Sequence, residues 1–214
     1  MKTEFINFSE ITYKNLKKIG DFKLIKNCDI FKEWFNFNYE INKYDEEYLI
    51  KLIENNRYNI ADYSEYQLLA HFIVPILNKV HFYSENYREW YQPEISGNLN
   101  GYILKGKPDF MVASGVFEPE IPFFFLQEFK KQKTNSDPLR QLLAQMAVAM
   151  ENNKVNQMKG AYNIGRIWAF IIMDKYENGK YKYHESEFFN SCKIDELKQI
   201  YINLKAVKHK YCKL

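Results

Sequence analysis

Pro108-Asp109 is followed nineteen residues after the aspartate by Glu128-Phe129-Lys130, at the end of a run of aromatic residues. Two carboxylates and an ammonium are what cutting a phosphodiester requires: hard oxygen donors for a divalent cation, and a positive charge beside the attacking water. Two acids with several waters suit Mg2+, which prefers oxygen ligands and keeps much of its hydration shell, and Mn2+ can take its place. Such a cation polarises the phosphate, lowers the pKa of a bound water and offsets charge on the leaving oxygen.

The local pattern positions these groups. Glu128 and Lys130 stand two apart in a strand-forming segment, so both project from one side while Phe129 projects from the other. The preceding Ile121-Pro122-Phe123-Phe124-Phe125-Leu126 is apolar on both faces, the pattern of a central strand covered on both sides. Charges that end such a strand need partners, because unpaired burial is costly. The plainer alternative is a turn aspartate after a proline and a solvated strand end.

On these residues the chain resembles the PD-(D/E)XK nuclease superfamily, over roughly residues 64–174. The resemblance implies a restriction endonuclease-like fold: an α/β domain with an αβββαβ core, its central mixed sheet flanked by helices. It also implies that Asp109 and Glu128 bind the metal and that Lys130 orients the water. An acid in the first helix, here Glu65, is implied as a further catalytic residue and metal ligand, although an acid in a helix's first turn also favours the macrodipole unaided. A supporting glutamine on the helix after the motif is implied as well. Gln141 and Gln145 share a helix face; Gln145 lies within the apolar run Leu142, Leu143, Met146 and Val148, and Gln141 is preferred because it is nearer the end that should approach Lys130, the alternative for either being plain helix surface.

The flanking elements agree with this order. Ser64-Glu65-Tyr66-Gln67 reads as a capping box opening a helix to about Lys79, kinked at Pro75. Asp137-Pro138 reads as the cap and first residue of a helix to about Asn152, with a strand at Arg166 to Asp174 after it. Gly97 to Gly101 reads as a turn between early strands, and Asn178-Gly179 as the turn into a strand over Lys180 to Glu187. A final helix is expected from about Ile194 to Lys208. Residues 1–60 are expected to form a helical extension packed on a nuclease-like domain of residues 61–214.

Composition sets outer limits. With 214 residues, 46% of them hydrophobic, the chain can bury one sizeable core. The net charge of +3 alone does not mark a polyanion binder. Lys131, Lys133 and Arg140 cluster after the motif and are expected to contact nucleic-acid phosphates, the alternative being a solvated loop. Lys205, Lys208, His209, Lys210 and Lys213 form a second basic group near the end. Cys28, Cys192 and Cys212 make no CxxC pair, which favours a reducing, cytoplasmic setting over a disulfide or zinc framework. No leading signal segment or membrane-length apolar run is seen.

The reading is therefore a Mg2+-dependent endonuclease, a hydrolase acting on DNA by the superfamily's habit, with restriction or defence against foreign DNA as the implied role. Specificity is left to a homodimer or a partner protein, since no separate DNA-reading module is visible. The alternatives are a non-catalytic nucleic-acid-binding or assembly subunit on the same fold, and an interaction protein with a fortuitous motif.

Overall fold

The computed structural model describes residues 4–132 and 137–213. The chain begins with strand β1 (Glu4–Asn7), helix α1 (Tyr13–Ile19) and strand β2 (Asp21–Leu24). Helices α2 (Lys32–Phe35) and α3 (Lys43–Asn56) follow. Next come α4 (Glu65–Leu68), a π-helical turn (Leu69–Ile73) and α5 (Val74–Val80) in one continuous helical stretch. Strands β3 (Tyr87–Tyr91), β4 (Ile95–Leu99), β5 (Tyr102–Gly106), β6 (Phe110–Ser114) and β7 (Glu120–Lys130) lead to helix α6 (Pro138–Asn153). Strands β8 (Gln157–Ile164), β9 (Ile167–Glu177), β10 (Lys180–Glu185) and β11 (Phe189–Asn190) precede the last helix, α7 (Ile194–Ala206).

A central mixed sheet flanked by helices organises the molecule. Its strand order is β2-β10-β9-β8-β7-β6-β3, with β11 also paired to β9. The β7–β8 and β2–β10 pairs are parallel and the others antiparallel. Alternation along the strands feeds two cores. Phe110, Val112, Phe125, Phe129 and Phe170 pack with residues of α2, α3, α5 and α7, while Met111, Ala113, Leu126, Ala169 and Ile171 pack with α6 and α1. β7 has apolar cover on both faces, which is why its Phe-rich stretch lacks polar alternation.

The capping box forms as expected, with Ser64 and Gln67 exchanging side-chain and backbone hydrogen bonds. Just before Pro75, where a kink is expected, the backbone widens into the π-helical turn over Leu69–Ile73. A proline ring clashes with the carbonyl four residues back and has no N–H to give it, and one wide turn relieves both problems. Asp137 caps α6 through the Leu139 N–H at 3.1 Å. Asn100-Gly101 is the actual hairpin turn, both residues having positive φ (49° and 85°), so Leu99 belongs to β4. This β4–β5 hairpin joins β1 in a separate three-stranded sheet and does not extend the main one.

Two expectations on element order need correction. The strand after α6 is β8, parallel to β7, and the segment expected at Arg166 to Asp174 is the next strand, β9. Gly160 lowers the strand signal of β8, but a Cβ there would stand 2.9 Å from Met146 Sδ, so the glycine lets α6 lie close on the sheet. The first sixty residues are also not purely helical. β1 pairs with β5, and β2 pairs with β10 at the edge of the main sheet. Short four-residue strands with exposed residues carry little periodicity to read. Among the described residues no helix is long and apolar enough to cross a membrane, and the three cysteines are free thiols.

Candidate active site

Antiparallel pairing of β6 with β7 sets Phe110 opposite Gln127, which brings Asp109 beside Glu128. The two acids are locked through backbone amides. The Asp109 N–H donates to Glu128 Oε1 at 3.3 Å, and the Phe129 N–H donates to Asp109 Oδ2 at 2.8 Å. Lys130 Nζ lies 3.9 Å from Asp109 Oδ2 and 3.7 Å from Glu65 Oε1. Thus the three motif residues converge, with Glu65 at the rim. Asp109 and Lys130 each keep 17% of their side-chain surface exposed against 52% for Glu65, so the first two form the floor.

Glu128 is fully buried, and its Oε1 accepts from Gln145 Nε2 at 2.7 Å. This is the glutamine that touches the acids. The preferred Gln141 lies a turn earlier on α6, and its half-buried side chain is not the one bonded to Glu128. Every residue from 142 to 150 is buried, so Gln145 is the lone polar side chain in that run. A buried amide needs partners, and this was the sequence signal that should have favoured it.

Burial pushes the Glu128 carboxyl well above the usual carboxylate range, and the neighbouring Asp109 charge pushes it the same way; Gln145 and Lys130 only partly counter this. Asp109 is raised too, chiefly by burial, against the pull of the Phe129 N–H and Lys130. Glu128 Oε2 and Gln145 Oε1 are buried without a hydrogen-bond partner among the described residues. An orphaned carboxylate oxygen beside a second acid suits a hard cation, which accepts one or two carboxylates and completes its shell with water. Among the described residues no group of three or more His, Cys, Asp or Glu that could hold a metal ion is found. The Glu65 carboxylate faces Lys130 and receives the Lys131 N–H at 3.4 Å.

Glu65, Tyr66, Leu69, Gln92, Asp109 and Phe129 line a hollow of about 80 Å3 in front of the acids. Gln92 carried no sequence signal, yet it sits there in the left-handed region at φ 50° with its N–H on the Asp109 carbonyl at 3.2 Å. Lys131 stays near the site and donates from Nζ to the Asp62 carbonyl at 3.4 Å. Arg140 does not line this hollow. It lies over the Tyr13 ring at 4.5 Å and 3.8 Å from Asp137, in a hollow shared with Leu16 and Tyr183. Lys133 lies outside the described residues. No protein-family model matches the chain, and no curated protein matches it.

Proposed function

We propose that this chain is a divalent-metal-dependent nuclease of the PD-(D/E)XK type. The observation that carries the reading is the reciprocal locking of Asp109 and Glu128, with the Lys130 ammonium 3.9 Å from Asp109 Oδ2. The order α5, β3, β6, β7, α6, β8 and the sheet path β3-β6-β7-β8 support an αβββαβ core, with the β4–β5 hairpin inserted after its first strand.

In this reading Asp109 and Glu128 hold Mg2+ or Mn2+, and Gln145 fixes the rotamer of Glu128. When bound, the cation polarises the phosphate and offsets charge on the leaving oxygen. Lys130 Nζ donates to the attacking water and keeps it beside the acids. Glu65 holds the Lys130 ammonium from the solvent side, a positioning role in place of a ligand's. Lys131 is the basic residue best sited for a flanking phosphate; Arg140 faces elsewhere and is not given that role. Preformed donors aimed at developing charge are the usual source of rate in phosphoryl chemistry.

DNA is the proposed substrate, and restriction or defence against foreign DNA the proposed setting, both from the superfamily resemblance. The second reading is a non-catalytic binding subunit, favoured by the burial that raises the Glu128 carboxyl well above the usual carboxylate range. Incubating the protein with DNA and Mg2+ or EDTA, beside Asp109→Ala and Lys130→Ala, separates the two. Metal-dependent cutting lost in both variants supports the nuclease; binding without cutting supports the subunit.

A further inference from the structure

Two hollows open where β7 ends. The first is the one beside Asp109, and Tyr66 at its wall is 78% exposed. The second, about 580 Å3, is lined by Ile53, Glu54, Arg57, Arg166, Cys192 and Ile194. Lys131 connects them. Its N–H reaches Glu65 on the first hollow, and its carbonyl lies 3.1 Å from where a Cβ would stand at Gly165, the residue before Arg166. The Gly165 N–H also donates to the Lys130 carbonyl, which ties the β8–β9 turn to the end of β7.

The lining chemistry is that of a strand track. Arg57 and Arg166 are exposed, and neither forms a salt bridge among the described residues. Lys131 supplies a third positive charge between the hollows, with Glu54 the acid in the wall of the second and Glu65 and Asp109 those of the first. Two tyrosines beside these hollows are exposed. Tyr66 is at the site, and Tyr58, 83% exposed, is beside Arg57, whose guanidinium lies 5.9 Å from its ring. A basic groove with exposed aromatics suits unpaired bases, which offer a π-face at each nucleotide. A duplex hides those faces by pairing and stacking, and leaves exposed tyrosines nothing to stack on except at its ends.

We infer that the substrate is a single-stranded DNA segment, its backbone passing from the Asp109 hollow over Lys131 to Arg166 and Arg57, with one base stacked on Tyr66. This rests on the nuclease reading and names the substrate's form.

The test is fluorescence anisotropy of one labelled oligonucleotide, single-stranded or annealed as a blunt duplex, in EDTA so that nothing is cut. The proteins are wild type, Arg57→Glu/Arg166→Glu, Tyr66→Ala and Tyr66→Trp. We expect the single strand to bind about tenfold or more tighter than the duplex, and Tyr66→Ala to weaken it by about fivefold or more while Tyr66→Trp preserves it. The arginine reversal should weaken binding and flatten the log-log salt slope by about 1.4, two contacts at about 0.7 each. Equal or tighter duplex binding, or unchanged binding in all variants, overturns the inference. Metal-dependent cleavage is measured in parallel. If wild type cuts duplex and the variants cut it equally well, the active-site reading stands and this one falls. If wild type neither binds nor cuts, both fall.

Discussion

Gln145 donates its side-chain amide to Glu128 Oε1 at 2.7 Å across the fully buried interface of α6 and β7. The contact joins the helix after the motif to the motif's second acid, and it fixes which Glu128 oxygen is left over. That oxygen, Oε2, has no hydrogen-bond partner among the described residues.

Replacing Gln145 with Leu removes the donor and keeps the volume. The expected result is a loss of about 1–3 kcal/mol of stability, because Glu128 is left with less of its hydrogen bonding. A further drop of about 10–100-fold in metal affinity follows, as for other residues that orient a ligand. Gln141→Ala should stay within about 0.5 kcal/mol of wild type, as half-buried helix positions without such a contact do. Urea melts and metal titrations of both variants check this, and equal effects would remove the special role of Gln145.

The raised carboxyl of Glu128 has a defined sign in a pH series. Its folded-state pKa lies above the unfolded value, so the fold holds the proton more tightly than the unfolded chain. The resulting stability is fully present below the unfolded pKa and is lost as pH rises through the folded one. Asp109 acts in the same direction. Relative to Glu128→Gln, which copies the protonated form, metal-free wild type should therefore lose melting temperature as pH is raised from the acid range toward neutrality, while Glu33, Asp45 and Glu196, whose carboxyls are held low, act the other way in both proteins. Glu128→Gln should also raise the neutral-pH melting temperature. The same pH dependence in both proteins would contradict the assignment.

Metal should reverse the effect. A cation on Asp109 and Glu128 stabilises the ionised acids, so Mg2+ or Mn2+ should raise the melting temperature, by about 2.7 kcal/mol of stability at a hundredfold excess over Kd. Asp109→Asn should lose that response, and Glu65→Ala should keep most of it, since Glu65 faces Lys130 at 3.7 Å. Equal loss in both variants would restore Glu65 as a ligand.

Gly160→Ala should destabilise by about 1–3 kcal/mol, the usual cost of overpacking a tight core site. The added Cβ meets Met146 Sδ at 2.9 Å and the Leu126 carbonyl at 3.1 Å. A neutral effect in a thermal melt would show that α6 can lift from the sheet at little cost.

Much of the site's framework was legible because its signals are local. The capping box at Ser64, the cap at Asp137, the apolar run before Glu128 and the Asn178-Gly179 turn each follow from a few neighbouring residues. What escaped depends on distant partners. β1 and β2 are strands because β5 and β10 offer them edges. β8 tolerates Gly160 because α6 needs the space. Gln145 was passed over because Gln141 lies nearer the end of α6 expected to approach Lys130, although full burial of residues 142 to 150 makes Gln145 a partner in search of a group to bond. Arg140 sits close to the motif in sequence, yet its guanidinium stacks on Tyr13.

The most direct measurement is cleavage of plasmid, linear duplex and single-stranded DNA by purified protein with Mg2+, Mn2+ or EDTA, beside Asp109→Ala and Lys130→Ala. The expected result is metal-dependent cutting by wild type and none by either variant, with both variants retaining the wild-type circular dichroism spectrum. Metal-dependent cutting that persists in both folded variants would contradict the account, since the acids and ammonium gathered at the end of β7 would then not be the site.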